Sequence, residues 1–208
     1  MIDAATLMTF AAVVLGLFLI PGPAVLLTLA RASSGGRRVG LATGLGISTG
    51  DFIHSVMATF GLSAVLMTSA LAFGIVKFAG AAYLVVLGIR SLLEKSDDFR
   101  LTARPSVNAA RAYRQGVLAE VLNPKTALFF LAFLPQFVHP ARGFVIGQFA
   151  LLGLIFVSMS VVYISLVALA AGHLSDWLRR HRRIGRWQGR VVAVIYLALG
   201  ARLALQTR

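Results

Sequence analysis

The chain has no cysteine. That excludes disulfides, thiol nucleophiles and Cys-ligated metals. Charge is scarce too. Only 13% of the residues are Asp, Glu, Lys or Arg, where a soluble domain carries about 25%. Acids are scarcest, seven against 20 Lys and Arg. No H-E-x-x-H motif occurs, which removes the commonest zinc-hydrolase signature. What fills the 208 residues is apolar: 58% are hydrophobic, with a mean hydropathy of +0.84. A water-soluble core has no use for so much apolar sequence, so this reads as an integral membrane protein in a lipid bilayer.

The net charge of +13 raises nucleic acid as a partner, but its distribution argues against one. The arginines lie in short clusters between apolar runs, as in the loops of membrane proteins. The first residues, "MIDAATLM", have no basic stretch in front of the apolar run. That run therefore reads as a retained span rather than a signal peptide.

A span needs about 20 apolar residues. Six segments meet or approach that length, at about 7–30, 39–67, 70–92, 115–138, 144–172 and 190–206. The fold class is thus all-α integral membrane with six transmembrane helices. The whole chain, 1–208, is one membrane domain with halves at about 1–95 and 110–208. Three spans per half is an odd number, so matching halves form a 3+3 inverted repeat, a common transporter plan. Arg31, Arg37 and Arg38 follow span one, a basic loop at about 93–113 follows span three, and Arg179 to Arg190 follow span five. The Lys/Arg bias puts those loops inside and both termini outside. Trp177 and Trp187 flank the last basic loop as interfacial anchors.

Spans one and four are interrupted. "FLIPGPAVLL" places Pro21, Gly22 and Pro23 in the first, and "AEVLNPKTALFF" places Asn123, Pro124 and Lys125 in the second. By helical rise, Pro23 is about 12 Å from Arg31 and Pro124 about 15 Å from Arg114, near mid-membrane in both cases. Proline starts a helix well but leaves earlier carbonyls unpaired. In lipid such groups must be buried or must line a wet cavity. Half-helices starting near Pro23 and Lys125 would offer N–H groups and positive dipole ends to an anion such as a carboxylate. The competing reading is that each proline only kinks a packed helix.

Two acids, Asp51 and Glu120, lie well inside spans, where a charge needs a partner or a task. His54 and Ser55 follow Asp51 at i+3 and i+4, on one face with Ser48 nearby. That face can carry a proton, bind an ammonium group or simply brace helices. Asp51, His54 and Glu120 are the proton-coupling candidates. Asp51 also joins Pro21, Gly22, Pro23, Asn123, Pro124 and Lys125 as a substrate-binding candidate. Lys77 reads as a snorkelling lysine, and His173 and Asp176 as interfacial. Gly40, Gly44, Gly46 and Gly50 form a small-residue stripe suited to close helix packing, with a homodimer face left open.

The chain resembles the LysE/RhtB amino-acid exporters, which include homoserine and threonine efflux proteins. The resemblance rests on "PGP" at 21–23, "GGRRVGLATGLGISTGD" at 35–51, "KFAGAAYLVVLGIRSL" at 77–92 and "RQGVLAEVLNPKTALFFLAFLPQF" at 114–137. The family pattern often has Asn where this chain has Glu120, which leaves the substrate open. The resemblance implies a small multi-pass exporter of the bacterial inner membrane, a secondary transporter moving an amino acid or related zwitterion by proton antiport. It implies no cofactor, no metal and no enzymatic activity. Export of a metal or other ion is the alternative, although hard cations want several oxygen ligands and two acids beside a lysine make a poor cage. A membrane-embedded enzyme ranks below both.

Overall fold

The computed structural model describes residues 2–19, 22–68 and 106–171, with single positions at 74–75, 78, 82, 85–86, 89, 194, 197 and 201. Among the described residues every regular element is helical. Expected spans three and six, the 93–105 part of the basic loop, Pro21, Lys77, His173, Asp176, Trp177 and Trp187 lie outside the described residues.

Helix α1 runs Ala4–Leu19 and α2 runs Pro23–Met57. Between them Gly22 is extended, at φ −102° and ψ −172°, as a residue preceding proline must be. Pro23 then occupies the first helical position, where its missing N–H costs nothing. The two helix axes bend by 55° across this break. The sequence pattern places a non-helical loop after about residue 30. The structure instead keeps helix on both sides and turns only at Gly36, with φ 77° and ψ 178°. The two limbs fold back on one another, so that a Cβ on Gly40 would come 2.5 Å from that of Ala32. The second limb continues through a π-helical turn, Ala58–Leu62, into α3, Ser63–Thr68.

The second half repeats the device. Helix α4, Ala109–Val121, starts on the Asn108 side chain, which accepts the Arg111 N–H at 2.8 Å. It stops because Asn123 precedes a proline and is extended, at φ −76° and ψ 109°. Helix α5, Pro124–Leu128, then runs on through a π-helical turn, Phe129–Phe133, and a 3-10 turn, Leu134–Phe137. The bend across this break is 44°. A turn containing the 3-10 segment Pro140–Arg142 leads through Gly143, φ 69°, into α6, Val145–Leu169. The buried Gln148 side chain clasps that turn, donating to His139 O and Gly143 O and accepting the His139 N–H.

Helix α6 is long and apolar enough to cross a membrane by itself, and each bent pair passes the same test only with its two parts joined, as a broken span or a re-entrant loop. Described helices overlap the ranges of expected spans one, two, four and five, and the breaks expected in spans one and four are present, but among the described residues one to three spans pass by length and composition rather than a full set of six. Two apolar clusters form the core. One is rich in phenylalanine, with Phe10, Phe129, Phe130, Phe133, Phe149 and Phe156. The other is aliphatic, with Val25, Leu29, Ile47, Ile164 and Val167. The polar site lies between them.

Candidate functional site

Both breaks open onto one cavity of about 50 Å³. Its polar lining comes from Asp51 on α2, Glu120, Asn123, Lys125 and Thr126 around the second break, and Ser160 and Tyr163 on α6. Phe18, Val25, Ile47 and Ile164 supply apolar wall. That volume suits a few waters, at roughly 10–15 Å³ each. Small-molecule sites run to about 300 Å³ or more, several times this volume.

Asp51 and Glu120 are each only 2% exposed. The Ser160 hydroxyl donates to Asp51 Oδ2 at 2.5 Å and lies 3.2 Å from the Ser48 hydroxyl. The Glu120 carboxyl accepts from the Asn123 amide at 3.1 and 3.2 Å and from the Thr126 hydroxyl. The Asp51 and Glu120 carboxyls and the Lys125 side chain line the same small cavity. Carboxylates only accept, so a hydrogen bond between the pair requires a proton. The pair can meet because Gly50 has no side chain. A Cβ there would lie 2.5 Å from Glu120 Cβ.

Of the residues singled out by sequence, the cavity gathers Gly22, Asp51, Glu120, Asn123 and Lys125. Pro23 and Pro124 shape the breaks, but both are exposed and neither lines the cavity. Pro21 lies outside the described residues. His54 is buried one turn beyond Asp51, its ring stacked on Phe130 and its Nε2 donating to the Glu120 backbone carbonyl at 3.1 Å. The N-terminus of α5 is not open. Asn123 Oδ1 accepts the Lys125 N–H at 3.0 Å, and the Glu120 carboxyl sits over the same turn. At the first break, by contrast, no side chain among the described residues caps the start of α2 at Gly22, and Lys125 lies beside it. A Cβ on Gly22 would sit 3.7 Å from Lys125 Nζ.

Sequence reasoning missed Thr126, Ser160 and Tyr163. Their one signal was a polar group inside an apolar helix, which many buried hydroxyls share. The stripe Gly46-Ile47-Ser48-Thr49-Gly50 also has the spacing of a serine-hydrolase nucleophile elbow. Such an elbow needs a strand-to-helix turn. Here the stripe lies within α2, and the Ser48 hydroxyl meets Ser160 rather than a base. The glycines of this stripe pack inside the chain, Gly46 against α4 at Tyr113 and Val117, and Gly44 against Ile164 of α6.

The chain is similar to several bacterial membrane proteins. An uncharacterized membrane protein of Pseudomonas aeruginosa is 29% identical over 207 residues, covering 96% of this chain and 94% of that one. An uncharacterized membrane protein of Vibrio cholerae is 34% identical over 74% of this chain and 75% of its own length. The homoserine/homoserine lactone efflux protein of Salmonella typhimurium is 28% identical, with 90% of each chain covered. No solved structure matches. The family model described as LysE type translocator matches residues 15–207, so two prolines in broken helices, a buried acid pair and a facing lysine belong here to a member of the LysE family of membrane translocators.

Proposed function

We propose that this chain exports a small amino acid or related zwitterion, of the homoserine kind, across the bacterial inner membrane in exchange for protons. It does so through six spans, with both termini outside. The observation that carries this reading is that Asp51, Glu120 and Lys125 line one cavity between two broken helices. Two carboxyls holding one proton, beside one ammonium, make a neutral cluster, which a membrane interior tolerates. A substrate ammonium fits the same position as the shared proton. The site then holds one or the other, and that exclusion couples outward movement of substrate to inward movement of protons. The substrate carboxylate goes to the open start of α2 at Gly22 to Val25, with Lys125 alongside. Phe18, Ile47 and Ile164 leave an apolar wall for a small side chain.

Homoserine and its lactone, named for the Salmonella relative, share the α-ammonium and differ at the carboxyl. Comparing acid with amide therefore tests the helix start separately from the acid pair. In counterflow with purified protein in liposomes, unlabelled L-homoserine should compete with labelled L-homoserine, and its carboxamide should not. Asp51→Asn should fold and lose most transport. Equal competition by acid and amide would remove the carboxylate site, and normal transport by Asp51→Asn would remove the acid pair.

A further inference from the structure

A proline leaves the carbonyl four residues earlier without its helical amide. For Pro124 that carbonyl belongs to Glu120, and for Pro21 it belongs to Leu17. In both cases a side chain from another element donates to that carbonyl. His54 Nε2, from α2, lies 3.1 Å from Glu120 O. Lys125 Nζ, from α5, lies 2.8 Å from Leu17 O. Glu120 O also accepts the Asn123 N–H at 2.9 Å, so both of its lone pairs are used. At Leu17 the donor is a cation at the C-terminal end of α1, where the helix dipole favours positive charge.

The consequence for His54 is specific. A carbonyl only accepts, so Nε2 carries the proton and the neutral ring has its tautomer set. The ring lies against Phe130 with centroids 5.9 Å apart, in a buried setting. The charged groups around it are Asp51 on its own helix and Glu120 and Lys125 on the facing elements. We infer that His54 is a positioning residue that caps the end of α4, and that Lys125 caps α1 in the same way. Each cap adds a donor from another element to the carbonyl that proline deprives of its helical amide, and so holds its break. By fixing the last turn of α4, His54 holds the Glu120 carboxyl against Asp51. That role needs only the Nε2–H donor, which a side chain that does not titrate can also supply.

The inference rests on the reading above only for its transport measurements. His54→Gln keeps an N–H donor without a titrating ring, and His54→Phe keeps a ring without a donor. Pro124→Ala supplies an amide that lets the helix satisfy Glu120 O itself. The thermal unfolding midpoint in detergent is measured for each variant, together with proton-driven L-homoserine transport across about pH 5 to 8, where histidine titrates. The Gln variant should keep the parent midpoint and the shape of its pH profile. The Phe variant should lower the midpoint and reduce transport severalfold. With Pro124→Ala present, adding His54→Phe should lower the midpoint by less than half as much as it does in the parent. The same midpoint cycle at the first break pairs Lys125→Met with Pro21→Ala. A pH profile flattened by His54→Gln at an unchanged midpoint would make His54 a proton carrier and overturn the inference. So would equal midpoint losses with and without the proline. If the parent moves no amino acid, the transport reading fails while the midpoint cycles still decide the caps.

Discussion

Asp3 shows how little a single exposed ion pair decides and how definite its pH dependence is. Its carboxylate caps the start of α1, accepting the Thr6 N–H at 2.8 Å, and meets Arg142 at 2.7 Å. The Thr6 hydrogen bond first, and Arg142 after it, hold this carboxyl well below the usual carboxylate range. Both partners favour the ionised form. The unfolded value is about 3.9. The stabilisation is therefore complete above that pH and is lost as pH falls toward the folded value. Asp3→Asn should lower the unfolding midpoint slightly at about pH 7, and its gap to the parent should narrow only in strong acid and in high salt. A gap that widens on acidification would contradict the pairing. At this scale the buried acids were legible in the sequence because a charge inside an apolar run is costly and rare. Ser160 was not, since a serine in a helix can satisfy itself on its own backbone, as Ser158 does on Leu154 O at 2.8 Å.

Among the elements, the glycines divide by what their missing side chain allows. Gly36 supplies a backbone conformation, and Gly50 supplies a contact. An alanine at φ 77° and ψ 178° in the Gly36 turn, a region that is essentially glycine's alone, is strained by about 1–3 kcal/mol. No other group lies close to the position that its Cβ would take. An alanine at Gly50 would press on Glu120 Cβ at 2.5 Å, and overpacking of this kind costs about 1–3 kcal/mol. Gly36→Ala should therefore lower the unfolding midpoint while the transport rate per folded molecule stays near parental. Gly50→Ala should reduce that rate sharply, because it pushes one carboxyl away from the other. Midpoints and liposome rates measured on both variants separate the two effects. Equal rates would mean that the Gly50 contact does not place Glu120. The breaks themselves could be read from the sequence, because proline carries its rule with it. The fold-back of α2 could not, because "SSGGRR" fits an open loop as well as a helical hairpin. Nor could the two π-helical turns, which no residue type announces. The glycine stripe was legible as packing. Its partners, α4 and α6, became known only from the fold.

Taken whole, the described residues have two distinct ends. Asp3 and Arg142 meet at one, and Arg31 bonds Gln115 at the other, its Nη2 donating at 2.7 Å. The chain start and the turn at 140–142 therefore share a side. The basic turn at 31–38 and the start of α4 share the opposite one. The charge count agrees with this division, since Arg37, Arg38, Arg111 and Arg114 all fall at the second end. Under the Lys/Arg bias that end faces the cytoplasm. Two positions on exposed backbone test it without disturbing either contact. Ser106 precedes α4, and Ala141 lies in the turn clasped by Gln148. The natural chain has no cysteine, so single replacements Ser106→Cys and Ala141→Cys give a clean background. In intact cells an impermeant maleimide should label position 141 and leave 106 unlabelled until the membrane is opened. Labelling of both from outside would break the division into two ends. The reverse pattern would keep the fold and invert the chain, so that the turn at 140–142 would face the cytoplasm and the basic turn at 31–38 the outside.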